Sequence, residues 1–226
     1  MHTSHLDRYI SASETVIDAA MDDEEVWKKI TQFGSPENNL KIFMERAFRK
    51  PVTQDEWVPI IKKYQSNIVK GKSPKESLGD ALKVILISPK FLMRVEDPPL
   101  PRKDQLISHY DMASRLSFFI WSSAPDEELF LKAKKEMLQD PKVIASQIER
   151  MLKDPRSESL GRIFAGEWLS TDDVGPRIRK DPIDNPWCTE SLMAAMREET
   201  ALFFHSLVIN NEPIRRLIDS NYTYLN

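Results

Sequence analysis

The sequence is poor in the residue types that most directly announce chemistry. It has one cysteine, Cys188, in 226 residues. One thiol cannot close an intrachain disulfide, and with no CxxC or CxxCH present the chain encodes neither a zinc knuckle nor a covalent haem site. No apolar run approaches the roughly 20 residues needed to cross a bilayer. The longest such runs are only about four to five residues, as in Val84 to Ile87, so no membrane span is expected. The net charge of -3 lacks the basic excess of nucleic-acid-binding domains, so no nucleic-acid partner is expected. The N-terminus, MHTSHLDRYI, has no basic stretch followed by an apolar one, so no signal peptide is visible. That absence implies either a cytoplasmic protein or a fragment whose true start lies upstream. Sustained apolar-polar alternation between turn dipeptides, the signature of strands, is also missing.

What is present points to helices. Charged residues make up 30% and hydrophobic residues 41%, an ordinary globular balance with length enough for one large domain or two small ones. Fifteen prolines stand against six glycines, and the prolines fall mostly where helices should begin. Ser35-Pro36, Ser73-Pro74, Asp140-Pro141, Asp154-Pro155 and Asn185-Pro186 each pair a capping residue with a proline suited to the first helical position. Ser73 to Glu76 and Thr53 to Glu56 spell capping boxes. The periodicity predicts one or two helices over 6–29, then helices over 38–49, 54–69 (starting late or kinked at Pro59), 74–87, 141–152, 155–169 and 187–209. In the last of these, Leu192, Met196, Phe203 and Leu207 form the expected apolar side. The fold class is all-α, a multi-helix orthogonal bundle of two packed helical subdomains. The expected organisation is a tail of an upstream helical domain over 1–30, a small helical subdomain over 31–97, a proline-rich linker over 98–103 and a larger subdomain over 104–226.

The chain is organised around Asp111 to Leu129. Tyr110, Ala113, Leu116 and Ile120 share one helical face. Phe118, Phe119 and Trp121 widen the apolar belt, as in a core helix. Ser122, Ser123 and Pro125 should end it, with Ser123 capping the next helix and Asp126, Glu127 and Glu128 at that helix's positive end.

Candidate sites follow from the few chemistry-bearing residues. Asp126, Glu128 and Glu167 are the candidate catalytic carboxylates for acid/base work on a polysaccharide, which needs two carboxyl groups about 5–10 Å apart; their alternative role is service to helix dipoles. His109 and His205 are candidate non-covalent haem ligands, although neither has a second ligand at i+3 or i+4. Glu198 and Glu199 lack the Glu-x-x-His spacing of helical metal sites, so no metal is expected. Trp121, Trp168 and Trp187 suggest either a sugar-stacking platform or core packing. No G-x-S-x-G elbow and no P-loop is present.

Several long phrases, in order, carry a resemblance. They are Leu6-Asp-Arg-Tyr-Ile10; Phe43-Met-Glu-Arg-Ala-Phe-Arg-Lys-Pro-Val-Thr53; Ala81-Leu-Lys-Val-Ile-Leu-Ile-Ser-Pro-Lys-Phe-Leu-Met-Arg-Val-Glu96; and Tyr110 to Leu129. Phe164-Ala-Gly-Glu-Trp-Leu169, Met196-Arg-Glu-Glu-Thr-Ala-Leu-Phe-Phe204 and Tyr222-Thr-Tyr-Leu-Asn226 complete the set. The chain resembles large secreted proteins of planctomycetes and verrucomicrobia built of domains of unknown function (a DUF1587 tail, then DUF1595 and DUF1592 types), often beside a c-type cytochrome domain. The resemblance implies an internal fragment of a periplasmic or extracellular protein. It further implies a cytochrome c domain as partner, with haem c held in a domain outside this chain and no cofactor in the chain itself. Its functional expectation is a non-catalytic scaffold or docking module, with no catalytic residues to carry over.

Overall fold

The computed structural model describes residues 3–94, 96, 107–181 and 183–224. The expected linker at 98–103 lies outside the described residues. Contacts divide the chain into two compact units, Met1–Gln105 and Leu106–Asn226. Twelve α-helices are present among the described residues, and the only β feature there is an isolated parallel bridge between Val174 and Ile178. The all-α expectation is met.

In unit 1, α1 (Thr3–Asp22) and α2 (Glu24–Thr31) are separate helices, divided at Asp23. The Asp23 carboxylate accepts from the N–H groups of Glu25 and Val26 and so starts α2. Next come α3 (Pro36–Phe48), α4 (Gln54–Val69), α5 (Pro74–Leu86) and the short α6 (Pro89–Leu92). Ser35 and Ser73 cap their helices with proline following, as the sequence predicts. Both capping boxes close: Glu56 accepts from the Thr53 N–H at 2.7 Å, and Glu76 from that of Ser73 at 3.0 Å. α4 does not start late. It runs from Gln54 with Pro59 inside it, because the box fixes its first turn whatever follows. Ile17, Leu40, Met44, Leu78, Leu82 and Ile85 anchor the core of this unit.

One cation is built into unit 1. Arg49 ends α3 in the left-handed region, with φ 62°, and its side chain is buried. Its guanidinium donates to the carbonyls of Ala47, Lys90, Phe91 and Met93 at 2.7–3.3 Å. Those carbonyls include the ones left unpaired at the end of α6, so a fixed charge is matched to a helix C-terminus. Burial, with Arg94 nearby, lowers its pKa.

Unit 2 contains α7 (His109–Trp121), α8 (Glu127–Lys134), α9 (Pro141–Leu152), a 3-10 turn (Pro155–Glu158), a π-helical turn (Leu160–Ala165) running into α10 (Gly166–Trp168), α11 (Glu190–Ile209) and α12 (Arg216–Asp219). Asp140 and Asp154 cap as predicted. Two start signals are corrected. Ser122 ends α7 with φ 49°, but the cap of α8 is Asp126, not Ser123. Pro125 forces extended backbone on the residue before it, so the helix starts beyond it. α11 starts at Glu190 rather than 187, because the Thr189 hydroxyl accepts from the Leu192 N–H. The buried side of α11 is Met193, Ala201, Phe204 and Leu207, while Leu192 and Met196 are exposed. Ala113, Ile120, Trp121, Leu129, Leu138 and Met151 form the core. Fully burying one such Leu stabilises by about 1.5–3 kcal/mol, and an exposed ion pair such as Lys153–Glu149 by less than about 1. Apolar packing therefore holds this unit, and its surface charges tune it.

Candidate functional site

Two of the three candidate carboxylates sit together on one cation. Asp126 caps α8, accepting from the Leu129 N–H at 2.9 Å, and it is gripped bidentately by Arg150 of α9 at 2.6 and 3.1 Å. Glu128 accepts from the Gln147 amide at 2.8 Å and lies 3.5 Å from Arg150 Nε. Gln147 in turn accepts from Arg150. Burial pushes the Asp126 carboxyl up, but hydrogen bonds from Arg150 and the Leu129 N–H outweigh it and hold the group below the usual carboxylate range. A carboxylate so stabilised stays ionised, which suits a cap and tether rather than a general acid.

The network extends onto Trp121. This ring is 3% exposed, and its indole N–H donates to the Met151 carbonyl at 2.9 Å. The Arg156 guanidinium lies 3.6 Å from the ring centroid. Arg156 also holds Asp154, whose carboxyl drops to about 2 through hydrogen bonds from the Arg156 side chain and backbone N–H. Trp121 is thereby covered and cannot stack a sugar. Trp168 and Trp187 remain 54% and 63% exposed. Glu167 is exposed on α10. Glu198 pairs with Arg162 at 2.5 Å, and Glu199 accepts from the Thr223 hydroxyl. No group of three or more His, Cys, Asp or Glu able to hold a metal occurs among the described residues.

The histidines lie on different helices. His109 opens α7, and its Nδ1 is buried without a hydrogen-bond partner. His205 lies on α11, with Nε2 2.9 Å from the Ser157 hydroxyl. That hydroxyl donates to the Leu152 carbonyl, so the ring must donate from Nε2. Desolvation lowers the His205 pKa, helped by Arg162 and opposed by Glu158. This serine-histidine pair, 48 residues apart, has no local sequence signal. With Ser157 only 1% exposed and its proton committed, it is a tertiary tie and not a nucleophile with its base.

The feature that sequence reasoning missed is an aromatic surface. Phe119, expected in the core, is 55% exposed, and Phe164 and Trp168 are 38% and 54% exposed. Phe164 meets Phe119 edge-on at 5.2 Å and stacks on Trp168 at 6.0 Å. Both Phe164 and Trp168 rest on the buried Phe204. The π turn positions them. Gly161 packs so closely on α11 that an added Cβ would lie 2.8 Å from the Ala201 carbonyl carbon and nearer still to its oxygen. From Trp168 an apolar groove of about 790 Å³ continues past Met196, Phe203, Ile214 and Ile218. Phe203 is itself packed edge-on by Tyr222, which brings the segment after α12 back onto α11.

A family described as "Protein of unknown function (DUF1592)" matches residues 107–226, and one described as "Protein of unknown function (DUF1595)" matches residues 37–96. The chain belongs to the DUF1592 family. No curated protein matches it, and no solved structure does. The DUF1592 match includes all the described helices of unit 2, and therefore both the carboxylate network and the aromatic surface. The DUF1595 match spans α3 to α6.

Proposed function

We propose that this DUF1592 chain is a non-catalytic helical docking module of a larger secreted protein, and that its unit 2 presents the docking face to a c-type cytochrome domain. The observation that carries this reading is the contiguous exposed surface of Phe119, Phe164 and Trp168. Water-facing aromatic clusters mark interaction sites, and tryptophan and other aromatics are enriched where interfaces bury their centre. The site chemistry supports it: Asp126 and Glu128 are tied to Arg150, and Ser157 is tied to Leu152. The cytochrome partner, the haem c in that partner and the periplasmic or extracellular setting rest on the family resemblance.

The test is a titration of the isotopically labelled chain with a c-type cytochrome domain of the kind that the family resemblance implies as its partner. Binding should shift amides around 119, 164 and 168. The Phe164→Ala/Trp168→Ala double variant, still folded by circular dichroism, should bind at least about thirtyfold more weakly, the effect of a 2 kcal/mol hot spot. Equal affinity of variant and wild type would overturn the proposed face. A Soret shift on adding free haemin that disappears in His109→Ala or His205→Ala would replace docking with direct haem binding.

A further inference from the structure

A second site lies in unit 2, in the groove of about 790 Å³ that begins at Trp168. Phe119 and Phe164 do not line it, so it goes beyond the docking reading and shares only Trp168 with that face. Three stretches far apart in sequence wall the groove, and each is pinned. Ser170, at φ 57°, turns the chain out of α10 and leads Thr171 and Val174 into the wall. The Arg197 guanidinium of α11 donates to the Val174 carbonyl. Gly175, at φ 95°, makes room for that bond, since an added Cβ there would lie 2.7 Å from Arg197 Nη1. α11 supplies Met196, Thr200 and Phe203. The segment that follows α12 is held by Tyr222, edge-on to Phe203 at 5.5 Å, and by the Thr223 hydroxyl, which donates to Glu199.

Every charged group of the lining already has a partner. Arg197 serves the Val174 carbonyl and Glu199 the Thr223 hydroxyl, and Arg215 lies 3.9 Å from Asp219. Counting Asp219, two cations stand with two carboxylates, so the wall has no net charge to offer. An ion entering it would lose hydration and find no free counter-charge, whereas a neutral apolar body has no such loss and releases water from Trp168, Met196 and Phe203. The lining hydroxyls narrow the choice further. Thr200 donates to the Met196 carbonyl at 3.1 Å and Thr223 to Glu199. The Thr171 hydroxyl makes no hydrogen bond among the described residues. We propose that this groove binds an uncharged, ring-bearing apolar molecule that carries a single carbonyl group. The rings pack on Trp168 and Phe203, where aromatic pairs gain from offset or edge-on contact, and the carbonyl accepts from Thr171. The volume lies within the range of small-molecule pockets, about 300–1,000 Å³.

The probe is benzophenone, two rings on one carbonyl, titrated into the full chain and followed by amide shifts. Diphenylmethane lacks the carbonyl, and 4-benzoylbenzoate adds a negative charge. Benzophenone should bind with a dissociation constant on the order of 0.1–1 mM, as a ligand of this size allows, and should shift amides in 168–174, 196–203 and 214–218. Diphenylmethane should bind about three- to tenfold more weakly, the effect of one neutral hydrogen bond, and 4-benzoylbenzoate no more tightly than benzophenone. Thr171→Val should lower benzophenone to the affinity of diphenylmethane and leave diphenylmethane unchanged. Thr200→Trp, which fills the groove from α11 and is checked for folding by circular dichroism, should abolish both. No shifts in these segments, equal affinities of the ketone and the hydrocarbon for the wild type, or tighter binding of the benzoate would overturn the proposal.

Discussion

Gly161 of the π turn and Ala201 of α11 approach one another so closely that there is no room for even a methyl group between their backbones. The neighbour is main chain, so it cannot rotate away. Gly161→Ala should therefore destabilise unit 2 by about 3 kcal/mol, the upper part of the range for overpacked sites. Gly166, five residues on, is the control. Its added Cβ would meet only the Asp172 Cβ, at 3.7 Å. In that helical site Gly166→Ala should be neutral or stabilise by up to about 1 kcal/mol. Urea unfolding of the two variants checks the contrast, and similar midpoints would refute it.

Asp126 combines two roles that substitution can separate. Asp126→Asn keeps a capping oxygen but loses the charge facing Arg150. That pair is partly exposed, with side chains 22% and 30% accessible, so the loss should be less than about 1 kcal/mol. Asp126→Ala removes the cap as well and should cost about 1–2 kcal/mol. Denaturant titration should rank wild type, Asn and Ala in that order.

Arg49 should not tolerate lysine. A lysine ammonium has three donors on a flexible stem and cannot span four carbonyls from two helices as a planar guanidinium does. Arg49→Lys is expected to cost about 2–3 kcal/mol, from hydrogen bonds to a charged group and carbonyls left unpaired. The loss should appear in unit 1 amides by hydrogen exchange, around 88–93 first.

The serine-histidine tie predicts a pH dependence. The folded-state pKa of His205 is lowered, so the unfolded chain binds the proton more readily. Its stabilising contribution is complete above the unfolded value of about 6.5. It is lost as pH falls from there through the lowered folded value. His205→Gln keeps a hydrogen-bonding side chain and cannot titrate. Its stability should fall less steeply than that of wild type between pH 7 and 5; parallel profiles would show that His205 does not contribute.

The parts of this structure that were legible in the sequence are those decided within one turn of backbone. Ser35, Ser73, Asp140 and Asp154 cap where they read as caps, because a side-chain oxygen and the amide it satisfies are two or three residues apart. The face of α11 was not legible. That helix is apolar on nearly every side, so periodicity could not separate Met193 and Phe204, which are buried, from Leu192 and Met196, which line solvent. The site residues divide in the same way. The N-terminal placement of Asp126 and Glu128 on a helix could be read locally. Their shared Arg150, and the meeting of Ser157 with His205, required the tertiary fold. Phe119 follows the same rule: its spacing makes it core-like, and only the packing of α7 leaves it facing Phe164.

The π turn has a consequence for helical phase. In an uninterrupted α-helix Gly161 and Trp168, seven residues apart, would lie within about 20° of each other. The wide turn at Leu160–Ala165 absorbs one extra residue, so everything after it lags by about 100°. One continuous segment can then press its glycine against α11 and still hold its tryptophan toward water. Winding 160–165 as an ordinary α-helix, with no residue removed, would undo that lag and swing Trp168 round to the glycine's side, closing the aromatic surface without changing any of the residues that form it.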